Sequence, residues 1–360
     1  MAARAYRVGI VGLSGIAARP PAEAPAPFRD TLSMSHAGAL AYMPWMEVAG
    51  YCDLVPGLLD AFKSDWVGRW PNATGYTDYR QMLAHERLDI LAVATPDHLH
   101  ADIAVDGADA GVRGVFVEKP LATSLEDADR IIEACEANGA ALVTDHTWRW
   151  DPLYHRVLEA IHAGDIGRLS TVVAVHTGPR AMLFRNGTHT IDGICFFAES
   201  APKRVFAHLE DGFESWDRYR GDGGHLPAND PFASGYIQFA NGVRAHYCAD
   251  KRSFIDSSYI LYGDKGRITL TPWGGHQDRT AELLTTDPVS GEAVRRTLVP
   301  GQYLVRNLMA AYEELIGLIE SGGSSVSSGR EARKTVQIMV GFLDSHRQGP
   351  RLVEVPGYQR

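Results

Sequence analysis

Cysteine is scarce: Cys52, Cys135, Cys195 and Cys248 are the four in 360 residues, with no Cys-x-x-Cys spacing. That argues against a disulfide framework or a zinc-thiolate site, and predicts reduced thiols in a cytoplasmic protein. Positive charge is also short, 35 Lys and Arg against 44 Asp and Glu, a formal net charge of -9. A polyanion would be repelled, so no nucleic acid partner is expected. No apolar run approaches the roughly 20 residues that span a bilayer, so no membrane partner is expected. Long repeats and low-complexity tracts are absent. His98 and His100 stand two apart, a weak ligand spacing, and no metal is expected.

What is present is an ordinary globular balance, 45% hydrophobic and 22% charged, at a length that accommodates two domains. Up to about residue 150, short apolar runs alternate with helical patterns. The runs are Tyr6–Val11, Met46–Cys52, Ile90–Ala94, Gly114–Val117 and Ala141–Thr144. Between them the clearest helix is "SLEDADRIIEACEANG", with Ala128, Ile131, Ile132 and Cys135 at helical spacing. Strands alternating with helices predict an α/β fold with a doubly wound parallel sheet, the Rossmann arrangement. From Asp151 on, one helix is followed by strand-like runs with hairpin signals, "FANGV" and "GDKGR" among them. That predicts an α+β second domain with an open-faced, mostly antiparallel sheet. The expected division is 1–150, with an insertion near 19–35, and 151–360, the two final helices packing back on the first domain.

"RVGIVGLSGIAA" reads as a strand running into a phosphate-binding turn. The fingerprint is Gly12-x-Ser14-x-x-Ala17, with Gly15 keeping the turn free of bulk where Ser14 replaces the second glycine. An acidic residue about 20 residues on should bind the adenosine ribose. Asp53 ends the next strand, but about 38 residues past Gly15. The excess matches the proline-rich "RPPAEAPAPFRDTLSMS", which cannot be a continuous helix and reads as a loop set into the first crossover. It is expected to fold over the pyrophosphate. An acidic Asp53 would repel a 2′-phosphate, so NAD is preferred to NADP. The expected cofactor set is Gly12, Ser14, Gly15, Ile16, Ala17, Asp53, Thr95, Pro96, His100, Glu118 and Lys119. Of these, Lys119 of "VFVEKPLA" ends a buried strand, where a side chain points into the ligand crevice.

Taken together, "GIVGLSGIA", "GYCDLVP", "ATPDHLHADIA", "VFVEKPLA", "WRWDPLYHRVLEAIHAGDIGRL", "GTHTIDGICFF", "YGDKGRITL" and "GREARKTVQIMVGFLDSHRQGPRLVEVP" resemble, in order, the Gfo/Idh/MocA family of sugar and polyol oxidoreductases. The resemblance implies a Rossmann domain, an open sheet that packs in homodimers or homotetramers, and a nicotinamide cofactor facing the interdomain cleft. It carries the family's Glu-Lys-Pro lysine onto Lys119 and its active-site histidine onto His189. Many members have an Asp four residues before that histidine. Here the position is Arg185, which puts the usual Asp/His relay in doubt. His176 and Arg149 also fall where relatives have site residues, and an Asp three residues after the histidine is kept as Asp192.

Oxidising a secondary alcohol sends a hydride to the nicotinamide and a proton to a base. The expected base is His189, with Lys119 on the reacting oxygen. Asp192 orients His189, accepts a substrate hydroxyl or caps a helix. Arg185 holds substrate, acts on His189 or makes a surface ion pair. His176 is a substrate contact or a core residue. Trp216, Tyr219, Arg220 and His225 of the polar loop 210–232 stack on a sugar, line an oligomer contact or form a floppy loop. The expected reaction is hydride transfer between NAD and a secondary hydroxyl or ketone of a sugar, cyclitol or glycoside. The rivals are an enzyme with permanently bound NAD that oxidises transiently, giving elimination, epimerisation or hydride exchange, and a non-catalytic NAD- or sugar-binding regulator.

Overall fold

The structure, a computed structural model, describes residues 5–20, 35–216, 219, 226–272, 279–300 and 307–358. In chain order the elements begin β1 (Tyr6–Val11), α1 (His36–Ala41), β2 (Met46–Cys52), α2 (Pro56–Trp66), β3 (Thr74–Tyr76), α3 (Tyr79–His85), β4 (Ile90–Val93) and α4 (His100–Asp109). They continue with β5 (Gly114–Val117), α5 (Leu125–Asn138), β6 (Ala141–Thr144), α6 (Pro152–His162), β7 (Leu169–Thr177), α7 (Thr188–Ala198) and β8 (Pro202–Leu209). The remainder are β9 (Ala233–Phe239), β10 (Arg244–Asp250), β11 (Asp256–Gly263), β12 (Gly266–Thr271), β13 (Thr280–Thr286), β14 (Ala293–Thr297), α8 (Asn307–Ser321), α9 (Gly329–Arg347) and β15 (Val353–Glu354). Contacts divide the chain into two compact units. One takes Met1–Ala122, Glu126–Thr147 and Val305–Gly329, the other Thr123–Leu125, Trp148–Leu304 and Arg330–Arg360.

The first unit is built on a parallel sheet in the order β3-β2-β1-β4-β5-β6. Every residue of β4 and β5 is buried, as expected where helices cover both faces. The strand order reverses between β1 and β4, and in open α/β sheets ligands bind outside the C-terminal strand ends at such a switch point. β1, β2, β5 and β6 match the sequence reading residue for residue; β3, only Thr-Gly-Tyr, carries no periodicity to find. Of the closing helices, α8 packs on this sheet, setting Leu315 and Ile319 against Gly114. α9, expected here too, belongs to the second unit, where Phe342 packs on Gly235 and Gly341 lies against Val205.

The proline-rich stretch falls mostly on residues 21–34, outside those described, but both of its ends are seen. His36 N–H donates to Ile16 O (2.8 Å) and Ala37 N–H to Ala17 O (2.9 Å). In an uninterrupted helix those carbonyls accept from residues 20 and 21. His36 therefore stands in the place of residue 20, and 16 residues are spliced into one helical turn. Ser35 clasps the splice: its hydroxyl donates to Arg19 O (2.6 Å) and accepts from Gly38 N–H (3.0 Å), capping α1.

The second unit is a nine-stranded sheet, β14-β13-β12-β11-β7-β10-β9-β8-β15. It is antiparallel except for β7 and β10, which run parallel side by side. Burial alternates along β7 and β10, so one face is covered and the other open. α7 lies on the covered face. Gly187 just before it and Gly193 within it let Tyr247 and Tyr259 approach the backbone too closely for a Cβ. Among the described residues, no helix is long and apolar enough to cross a membrane.

Candidate active site

The turn after β1 has the geometry a diphosphate requires. Gly12 has φ +86°, and a Cβ there would sit 2.5 Å from Ala94 O. Only glycine allows both that dihedral and the close approach of the β4 turn. Ser14, Gly15 and Ile16 are exposed at the tip, and Ala17 is buried under the helix. Asp53 at the end of β2 accepts from Leu13 N–H (2.9 Å) and Val55 N–H (2.9 Å), fixing its carboxylate beside the turn. Each oxygen retains a lone pair for a ribose hydroxyl. Thr95, after β4, has a buried hydroxyl that finds no partner among the described residues. An orphaned hydroxyl beside a glycine cradle fits a bound dinucleotide, which would take up its hydrogen bond. Pro96 precedes the short turn into α4. His100, expected among the cofactor contacts, is instead fully buried, its ring nitrogens 3.0 Å from Thr95 O and 2.9 Å from Pro120 O. It braces two site turns together, so its help to a cofactor is indirect.

Glu118 and Lys119 follow β5. Glu118 is also drawn inward, and sequence reasoning missed its partners. His36 Nε2 lies 3.3 Å from Glu118 Oε1, and His36 Nδ1 lies 2.8 Å from the Tyr312 hydroxyl. Lys119 N–H donates to Glu118 Oε2 (3.1 Å). Burial pushes the Glu118 carboxyl up, but His36, the Lys119 charge and a hydrogen bond with Asp145 more than offset it and hold Glu118 down. Asp145 goes the other way: burial, then the charge of Glu118, push it well above the usual carboxylate range. One signal in the sequence could have pointed here, the Glu of Glu-Lys-Pro, yet no spacing rule links it to His36 or Tyr312.

In the second unit, α7 is entered through a single π-helical turn, Leu183–Gly187, closed by Gly187 N–H to Met182 O (2.7 Å). Such turns are costly and concentrate at functional sites. Asp230, fully buried and missed in the sequence, holds this one open by accepting from Phe184 N–H (3.1 Å) and Arg185 N–H (2.9 Å). The turn displays Arg185 and delivers His189 in the first turn of α7; both are half-buried. His176, on β7, is buried, and burial lowers its pKa. Tyr219 is buried and stacked on Phe184 (centroids 4.1 Å, planes 4° apart). It therefore supports the turn and leaves no face for a sugar. Arg220 and His225 lie outside the described residues.

Arg149 and Asp192 do meet, but with each other. Arg149 Nε reaches both Asp192 oxygens (3.0 and 2.9 Å), its Nη2 reaches Oδ1 (2.9 Å), and Thr335 of α9 adds a hydroxyl at 3.4 Å. Both side chains are under 5% exposed. Burial pushes the Asp192 carboxyl up and Arg149 opposes it. The geometry gives the pair a structural task, tying the turn before α6 to α7 and α9. It replaces the expected roles of Asp192 and Arg149 as substrate contacts.

Residues 6–146 match a family model described as oxidoreductase family, NAD-binding Rossmann fold, and residues 154–269 match the GFO/IDH/MocA C-terminal domain. D-apiose dehydrogenase of Paraburkholderia graminis is 36% identical over 293 residues, 78% of this chain and 76% of that protein. Inositol 2-dehydrogenase of Salmonella typhimurium is 32% identical over 124 residues, 34% of this chain. The match spans only 36% of that enzyme's length. The crystal structure of levoglucosan dehydrogenase in complex with NADH superposes with a TM-score of 0.77 at 19% identity, covering 99% of this chain and all of that one. With both family models matched in order and a relative aligned over three quarters of its length, this chain belongs to the Gfo/Idh/MocA family of oxidoreductases.

Proposed function

We propose that the chain is an NAD-dependent dehydrogenase that moves a hydride between the cofactor and a secondary hydroxyl or ketone of a sugar, cyclitol or glycoside. The observation that carries the reading is the crevice of the parallel sheet. There the Gly12 turn, the fixed Asp53 carboxylate, the orphaned Thr95 hydroxyl and the Lys119 turn all belong to strand ends on either side of the switch point. The dehydrogenase relatives support the reaction class.

Gly12, Ser14, Gly15, Ile16 and Ala17 would carry the diphosphate and Asp53 the ribose, with Thr95, Pro96 and Glu118–Lys119 along the remainder. The bound nicotinamide supplies a hydride acceptor. Lys119 donates a hydrogen bond to the reacting oxygen and stabilises alkoxide character there. His189 takes the hydroxyl proton, an effect typically of about 10²–10⁴-fold. Arg185, held by Asp230 through its backbone, brings a cation to the polar side of the substrate, with His176 as a further contact. Asp53 disfavours a 2′-phosphate, so NAD is the preferred form. The reading includes self-association through the open face of the nine-stranded sheet, a dimer or tetramer by sedimentation.

The test is a panel of sugars, polyols and glycosides assayed for NADH formation at 340 nm. A responding substrate whose turnover is lost in both Lys119→Ala and His189→Ala, with NAD still bound, is the expected result. NAD binding without turnover on any member would contradict it and favour a regulatory protein.

A further inference from the structure

The first unit buries four polar groups behind the Lys119 turn, and they hydrogen-bond to one another. His36, Tyr312 and Asp145 are 0–2% exposed and Glu118 is 6% exposed. Oxygens of Asp145 and Glu118 and a ring nitrogen of His36 lie within 4.8 Å of one another, and the two carboxyl groups share a hydrogen bond. Two ionised carboxylates have no donor between them, so one carries a proton. Asp145 Oδ1 accepts from the Thr147 hydroxyl (3.1 Å), which leaves its other oxygen to donate to Glu118. The Tyr312 hydroxyl lies 2.8 Å from His36 Nδ1. An ionised Glu118 can only accept, so His36 presents its Nε2–H to Glu118 Oε1 (3.3 Å). Lys119 N–H donates to Glu118 Oε2. Glu118 is then the sole carboxylate of the cluster, with three donors trained on it, one residue from Lys119.

We propose that His36 and Asp145 are positioning residues for Lys119: they hold Glu118 as one fixed negative charge behind the Lys119 turn, which keeps the Lys119 side chain cationic and aimed. The proposal rests on the reading that Lys119 acts on the reacting oxygen. It gives the splice a consequence as well. His36 reaches Glu118 because the hydrogen bonds to Ile16 and Ala17 return the chain to helical register at that residue. Among the described residues, the titratable groups nearest Glu118 and this turn include His36 from α1, His100 from α4 through Pro120 O, Asp145 and the buried His146 after β6, and Tyr312 from α8. Beside them Glu118 carries the cluster's negative charge, so the Lys119 midpoint should follow Glu118 and ignore the charge type at Asp145.

The experiment is a pH titration of Lys119 by ¹³C-labelled reductive methylation and NMR, its resonance assigned by loss in Lys119→Arg. It is run beside the alkaline limb of kcat/KM on a responding substrate. Glu118→Gln should lower the midpoint by at least about one pH unit, since the Lys119 and Glu118 charges act on each other and a neighbouring opposite charge moves a pKa by about 1–3 units. Asp145→Asn should leave it in place and keep kcat within about threefold. An amide has an N–H for Glu118 and an oxygen for Thr147, as the protonated acid does. Asp145→Ala and His36→Ala should lose kcat at least tenfold, the scale of a misplaced reacting group, with KM for NAD unchanged. Loss in Asp145→Asn equal to that in Asp145→Ala would overturn the proposal, because it would require an ionised Asp145, such as a metal ligand or a base. An unmoved midpoint in Glu118→Gln would overturn it too. Should no substrate respond, the dehydrogenase reading fails while the NMR titration still decides this proposal. Should the alanine variants not fold, the two isosteric variants decide it.

Discussion

Replacing Asp192 by Asn separates a structural role from a catalytic one. The Arg149 guanidinium would be left with an amide oxygen in place of a carboxylate it contacts at 2.9–3.0 Å, and neither side chain is more than 4% exposed. Breaking a buried ion pair by removing one partner costs about 3–5 kcal/mol. The lower end applies, because Glu331 remains 3.5 Å from Arg149 Nη1, although its side chain is 32% exposed. At roughly 2–4 °C per kcal/mol for a unit of this size, about 3 kcal/mol lowers the second unit's Tm by about 6–12 °C. Differential scanning calorimetry reads it. Because a buried pair can often be exchanged for apolar residues at little net cost, the double change Arg149→Met with Asp192→Leu should recover at least half of that loss. Asp192→Asn protein with a wild-type Tm but kcat/KM down a hundredfold would refute the reasoning and return Asp192 to the substrate or to His189.

Three further outcomes follow from the structure. Asp53→Ala should raise the ratio of NADP to NAD use at least tenfold in coupled kinetics, since the charge facing a 2′-phosphate is gone; an unchanged ratio would show that Asp53 does not face the ribose. Cys52 and Cys135 are buried and burial pushes both thiols up to about 12, whereas Cys248 is exposed. At pH 8 a thiol reagent should therefore label one fast site, removed by Cys248→Ser. Burial, then the neighbouring His208, hold His346 below its usual value against Glu214 and Asp211. The unfolded chain then takes up a proton near pH 6.5 that the folded chain resists, so stability present above that pH is lost as pH falls through it. The fall in Tm from pH 7 to 5 should be shallower in His346→Gln.

Where side chains repeat with the period of their element, the fold was legible. The mostly apolar strands of the first sheet and the alternating strands of the second stand in the sequence at nearly their observed bounds. β3 and β15 escaped because two or three residues show no period, and β14 because it is exposed throughout. The cofactor turn was legible because glycine is the only residue compatible with Gly12's backbone, and the insertion because Asp53 came too late. The buried partners were not. Asp230, His36 and Tyr312 act through contacts 45, 82 and 276 residues away in the chain, and nothing local in sequence announces such pairing. For Asp192, a spacing of three on a helix points toward His189, and its contact with Arg149, 43 residues earlier, was not legible.

The central claim is that Lys119 and His189 serve one reacting oxygen, and a double-mutant cycle on kcat tests it most directly. Groups that act as a unit are strongly non-additive. Lys119→Ala combined with His189→Ala should be no worse than the poorer single variant by more than about tenfold. Losses that multiply across the two changes, or a single variant with wild-type turnover, would contradict the claim.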